Sequence, residues 1–262
     1  MNNSIHLDFQ TSQPTNFITI KILTILIGLK LNSMKLKSIL TAVLLFLVTG
    51  VNAQYGEGRY TFVFLNTNPD RAELPKEQVD SLQAGHMANI NRLVKEKKMI
   101  AAGPFYTGGG IFLFDTNLQD TETVLNTDPA ISAGRFKLEV YPFDLMEGKL
   151  CTLWHKDEAD VEMTTYFFVR FEPNKADENI DAVKTNRFTE NVLKELKQSY
   201  KDKAELIGAI NLNTNEGQII IYKSGLEGGI EELFEKHELV KKGLMTYYQK
   251  QIYFPKGVFC EN

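Results

Sequence analysis

Cysteine occurs twice in 262 residues, tryptophan once and histidine four times. Two cysteines cannot build a disulfide framework or a thiolate metal cluster. The histidines, His6, His86, His155 and His237, are scattered, with no pair at the i, i+4 spacing of helical zinc sites. No metal and no other resident cofactor is therefore expected. An excess of basic charge is also missing, since 29 Lys and Arg stand against 33 Asp and Glu, a net charge of −4. A phosphate-binding surface needs the opposite balance, so nucleic acid is not an expected partner. What remains is ordinary globular composition, 43% hydrophobic and 24% charged.

The N-terminal part reads as an address. Met34-Lys35-Leu36-Lys37 is a basic start, 38–48 is an apolar run, and Thr49-Gly50-Val51-Asn52-Ala53 supplies small residues for cleavage before Gln54. The rival reading is a membrane anchor, but the run is shorter than the roughly 20 residues a spanning helix needs. Residues 34–53 are thus expected to be a signal peptide starting at Met34, with no stable membrane anchor after cleavage and an exported mature chain. Residues 1–33 read as an upstream extension, although 17–31 is apolar enough to raise a second membrane segment.

The remainder is one sequence written twice. Tyr60-Thr61-Phe62-Val63-Phe64-Leu65 is matched by Tyr166-Phe167-Phe168-Val169-Arg170-Phe171 at an offset of 106. Gly134, Gly148 and Cys151 fall on Gly243, Gly257 and Cys260 at an offset of 109, so about three residues entered the second copy. The copies span 54–148 and 164–262, with a polar connector at 149–163. Cys151 and Cys260 occupy equivalent places, and a bridge between them is open to an exported chain, although sequence cannot supply the Cα approach.

Within the first copy, 59–66 is rich in aromatic and β-branched residues and predicts a strand. Val79, Leu82, Ile90 and Leu93 mark one face of a helix over 76–97. Strands at 99–105 and 111–115 are joined through Thr107-Gly108-Gly109-Gly110, and a helix at 119–126 and a strand at 137–145 follow. A phosphate loop would need a helix after those glycines, so they form a turn. The second copy predicts strands at 165–172, 205–212, 218–223 and 246–254, with helices at 179–201 and 226–237. Each copy is β-α-β-β-α-β, a ferredoxin-like order. Two such units can stack their bare sheet faces as a homodimer would. The expected fold is α+β, two ferredoxin-like repeats in an intramolecular pseudo-dimeric barrel, monomeric as a chain.

The first copy resembles the YCII-related family through Gly85-His86-Met87, Met99-Ile100-Ala101-Ala102-Gly103-Pro104 and Gly110-Ile111-Phe112-Leu113-Phe114. Thr127-Asp128-Pro129, Ala133-Gly134 and Val140-Tyr141-Pro142 continue the resemblance, which covers nearly the whole copy. It implies a small dimeric α+β barrel with an active site built on a histidine and an aspartate, here His86 and Asp128. The second copy follows the pattern but carries approximately Val192 and His237 at those places.

Each candidate has two readings. His86 lies on the apolar stripe of its helix, as a core histidine or as a general acid–base. Asp128 before Pro129 is a good helix N-cap, and it can also orient the imidazole. Phe62, Phe64, Gly103 and Phe105 are the candidate ligand pocket, but aromatic side chains at such positions also fill a core. His237, beside Glu238, is expected near the surface. The functional expectation is an exported protein acting on a small organic molecule by His/Asp acid–base chemistry. The alternative is a non-catalytic ligand-binding or interaction module. A haem reading, by analogy with other duplicated barrels, would need His86 or His237 as axial ligand.

Overall fold

Aromatic and β-branched residues crowd the start of each copy, and both stretches become central strands buried on two faces. The computed structural model describes residues 59–177, 180–213 and 215–260. The expected leader at 34–53, the extension 1–33 and the opening of the 54–148 repeat lie outside the described residues. The first half runs β1 (Tyr60–Thr67), α1 (Lys76–Lys95), β2 (Met99–Pro104), β3 (Gly110–Phe114), α2 (Leu118–Leu125), the one-turn α3 (Pro129–Ser132) and β4 (Phe136–Glu147). A short β5 (Lys149–Leu150) and a 3-10 turn (Glu158–Asp160) lie in the connector. The second half runs β6 (Met163–Pro173), α4 (Ala182–Ser199), β7 (Ala204–Leu212), β8 (Gly217–Ser224), α5 (Glu231–Glu235), α6 (Glu238–Lys241), β9 (Met245–Pro255) and β10 (Phe259–Cys260). The fold is α+β with an antiparallel sheet.

Eight strands form one sheet in the order β2-β3-β1-β4-β7-β8-β6-β9. Each half contributes the same four-strand pattern, and β4 pairs with β7 to join them, from Phe143 opposite Leu212 to Glu147 opposite Ala209. The outer edges, β2 and β9, also meet. Phe105 bridges Ile252, and the Tyr106 N–H donates to the Gln251 carbonyl at 3.1 Å. Gly103 permits this approach, since a Cβ there would stand 2.5 Å from a Phe254 ring carbon and 2.6 Å from the Tyr253 carbonyl.

Strand alternation sorts side chains between two environments. Phe62, Phe64, Phe105, Phe143, Phe168 and Ile210 face inward and form one core shared by the two halves. Val63, Leu65, Phe112 and Phe114 face outward beneath α1 and α2, and Val169, Phe171, Ile220 and Tyr222 do so beneath α4. The connector also packs: Leu153 and Trp154 lie against the inner core, and the Trp154 indole N–H donates to the Met99 carbonyl at 2.8 Å.

Two expectations need correction. The helix expected over 226–237 is reduced to α5, because Gly228-Gly229 breaks its first half, and α6 lies beyond it. Gly229 has φ +72, and the Ile230 N–H that follows is held by the Tyr222 hydroxyl at 3.1 Å. His237 is not at the surface, for its side chain is 14% exposed and lies against Phe188, with ring centroids 5.2 Å apart.

Cys151 and Cys260 are bonded, with Cα atoms 5.8 Å apart. Beside them β5 pairs with β10, Leu150 opposite Phe259. A cross-link across 109 residues restricts the unfolded chain strongly. Replacing both cysteines by alanine should lower stability by about 2–4 kcal/mol, a melting shift on the order of 10 °C. Thermal unfolding of the variant checks this, and an unchanged melting temperature would contradict it.

Candidate functional site

Helix α1 buries His86, Asn89 and Leu93, so two of the three side chains it buries are polar. Gly85 allows close packing there, since a Cβ would stand 2.6 Å from Pro129 Cγ. That contact sets the helix turn bearing His86 directly against the turn that begins at Asp128.

Asp128 is fully buried and is the N-cap of α3. Its Oδ1 accepts from the Ala130 N–H at 2.9 Å and the Ile131 N–H at 3.1 Å. Its Oδ2 lies 2.7 Å from His86 Nδ1 and accepts from the Asn89 amide at 3.3 Å. Capping and pairing with His86 are thus served by different oxygens of one carboxylate. Burial pushes the Asp128 carboxyl up, but the hydrogen bond and charge of His86, the Ile131 N–H and the Asn89 amide outweigh it. The group is held below the ordinary carboxylate value. An ionised carboxylate only accepts, so the imidazole Nδ1–H is the donor. His86 Nε2 has no hydrogen-bond partner among the described residues.

The surroundings fix this pair. The imidazole stacks on Phe112, with centroids 5.7 Å apart, and tilts against Phe136 at 5.8 Å. Arg92 donates to the Asn89 carbonyl and to the Thr127 hydroxyl, both at 2.8 Å. Asn89 and Arg92 were missed in the sequence. Their signal was the three-residue spacing from His86, which places all three on one helix face.

The four pocket candidates lie elsewhere. Phe62, Phe64 and Phe105 point to the inner core, with Phe62 4.7 Å from Phe64 and Phe105 5.1 Å from Phe168 between centroids. Gly103 sits at the β2–β9 approach. His86 packs on the opposite, helix-covered face, so the structure brings His86 and Asp128 together and leaves the other four apart. Two cavities open beside α4, and Glu147 of β4 lines both. One, of about 550 Å³, is lined by Asp144, Glu147, Asn186, Glu190 and Lys194 among others. The other, of about 760 Å³, is lined by Tyr166, Lys201, Leu206, Lys223 and Phe259 among others. Neither touches His86 or Asp128.

The second half shows the same frame with different chemistry. Val192, fully buried, stands for His86, and Glu195 stands for Asn89. His237 caps α6 as Asp128 caps α3, but without a side-chain cap bond. Its Nε2 is 3.7 Å from Glu195 Oε1 and is buried without a hydrogen-bond partner. Burial lowers the His237 pKa, helped by Lys236 and opposed by Glu195.

No family model and no curated protein matches the sequence. Among solved structures, the chain is similar to chlorite dismutase from Candidatus Nitrospira defluvii at 8% identity and a TM-score of 0.47, over 80% of this chain and 96% of that one. It is also similar to a haem-binding protein from Thermus thermophilus at 10% identity and a TM-score of 0.44, over 76% of this chain and 91% of that one. Likeness of this degree adds nothing to what strand order and register state. Among the described residues, no group of three or more His, Cys, Asp or Glu side chains could hold a metal ion, and no helix is long and apolar enough to cross a membrane.

A depressed folded-state pKa contributes stability that is fully present above the unfolded value and is lost as pH falls through the folded one. Asp128→Asn should therefore cost about 1–3 kcal/mol near neutrality. Its deficit against the native chain should shrink below about pH 4. Urea unfolding across a pH series measures this, and a deficit independent of pH would contradict it.

Proposed function

We propose that this chain is an exported YCII-like protein whose two halves replace the subunits of a dimeric α+β barrel. In this reading the first half carries one site, where His86 and Asp128 perform acid–base chemistry on a small organic molecule. The observation that carries it is the 2.7 Å contact between His86 Nδ1 and a buried Asp128 carboxylate, with Nε2 unpartnered among the described residues. Nε2 of the neutral imidazole would take a proton from the bound molecule. Asp128 would stabilise the resulting imidazolium, and Nε2 would return the proton to the product. Export is supported by residues 34–53 and by the Cys151–Cys260 bond, which fits an oxidising compartment.

One observation favours the second reading, a non-catalytic binding or interaction module. His86 is packed against the Phe112 and Phe136 rings, and neither described cavity reaches it. The residues present do not fit a haem. His86 is packed against the Phe112 and Phe136 rings, His237 is packed on Phe188, and no histidine lines either cavity.

A thermal-shift screen of small organic molecules on the mature chain, repeated on His86→Ala, tests the proposal, because a bound ligand stabilises the fold by mass action. Ligands that raise the melting temperature should lose that effect in His86→Ala, and any turnover they support should vanish. Ligand shifts and turnover unchanged in the variant would remove the His86 site.

A further inference from the structure

The two halves are related by an approximate two-fold axis, and the residues beside it are legible from register. In the first half Phe64 stands opposite Glu139, and in the second Arg170 stands opposite Tyr248. These pairs are equivalent, since 170 − 64 = 106 and 248 − 139 = 109 reproduce the offsets of the duplication. Phe62 and Phe168 are equivalent in the same way, and their rings meet across the axis at 6.2 Å between centroids. There a like residue meets its like, as in a homodimer.

One step along the same strands, the likeness is broken. Arg170 is 3% exposed in the middle of β6, and its guanidinium lies over the ring of its own counterpart, Phe64, at 4.4 Å. Its Nη1 donates to Glu139 Oε2 of the first half at 2.8 Å. The Tyr141 hydroxyl donates to the same oxygen at 2.9 Å, and the Asn66 amide donates to Glu139 Oε1 at 2.7 Å. Within its own strand Arg170 also ion-pairs with Glu172 at 3.2 Å. The positive charge therefore comes from one half, and the carboxylate across the axis from the other.

We infer that Arg170, Glu139 and Phe64 form a sided lock that makes each half of the chain complementary to the other half and not to a second copy of itself. Two first halves would bring Phe64 to Phe64 and leave two Glu139 carboxylates without a cation. Two second halves would bring two guanidinium groups together at the axis. Like charges at that distance, out of water, repel strongly, and a buried charge stripped of its partner is costly. Opposite charges on opposite halves remove both problems, but only for the mixed pairing. The duplication permits this arrangement, because a homodimer must place identical residues at both positions.

Register supplies the test, performed on the full chain. Phe64→Arg alone sets two guanidiniums face to face and should lower the melting temperature by about 10 °C. The exchange Phe64→Arg with Arg170→Phe places the cation directly opposite Glu139 on the neighbouring strand of its own half, so no ion pair spans the axis and the melting temperature should stay below native. Adding Glu139→Tyr and Tyr248→Glu transposes the whole lock and should recover most of the loss. A fourfold variant as unstable as the exchange alone, or an exchange as stable as the native chain, would overturn the inference. If the displaced variants do not fold, conservative changes decide. Glu139→Gln, which breaks the contact between halves, should lower the melting temperature at least twice as far as Glu172→Gln. An equal or larger loss from Glu172→Gln would place the Arg170 charge within its own half and defeat the lock.

Discussion

The burial of Phe62 against Phe168 across the pseudo-two-fold axis is the contact on which the rest of this molecule depends. A four-stranded sheet covered by helices on one face has an apolar second face. Here that face is closed by the other half of the same chain, with Phe64, Phe105, Phe143 and Ile210 around the central pair. The connector and the Cys151–Cys260 bond hold the two halves together at one end, where Leu150 pairs with its own counterpart Phe259. With the inner faces committed to one another, the proposed site lies on a helix-covered outer face.

Comparison of the two outer faces supplies an internal control. Helix α4 buries Phe188, Val192, Leu193 and Leu196, as an amphipathic helix on a sheet should. Helix α4 also buries Thr185 and Thr189, and α1 buries His86 and Asn89 beside Leu93. Full burial of an aliphatic side chain at the His86 position would contribute about 1.5–3 kcal/mol. Stability alone would thus select what the second half has at Val192, and the first half departs from it with a fully buried carboxylate placed to receive the imidazole. The proposed site rests on this departure. In the second half the carboxylate and the imidazole have traded elements, Glu195 on the helix and His237 at the cap, and the resulting pair is too long for a hydrogen bond.

Much of this was legible in the chain. The two offsets set the strand equivalences, and the aromatic and β-branched content of 59–66 and 165–172 marked both as strands. Asp128 before Pro129 announced a cap, because Pro at the first helical position and a side-chain acceptor before it are local requirements. Features that depend on tertiary approach were not legible. The Cys151–Cys260 pairing needed the Cα distance, the closing contact of β2 with β9 needed Gly103 to be seen against Phe254, and Asn89 became a partner of Asp128 only once α1 was docked. The helix expected over 226–237 is shorter because Gly228-Gly229 interrupts its first half. The aromatic residues considered as a pocket could not be assigned to the inner or outer face of a closed sheet before its closure was known.

The arrangement of the protons on His86 tests the account most directly. Nitrogen NMR of the labelled imidazole, followed through a pH titration, reports which ring nitrogen carries hydrogen. With Asp128 accepting from it, Nδ1 should carry the hydrogen of the neutral ring, and Nε2 should be bare. A neutral His86 protonated on Nε2 and bare on Nδ1 would contradict the account, because the nitrogen facing Asp128 would then have no hydrogen to donate.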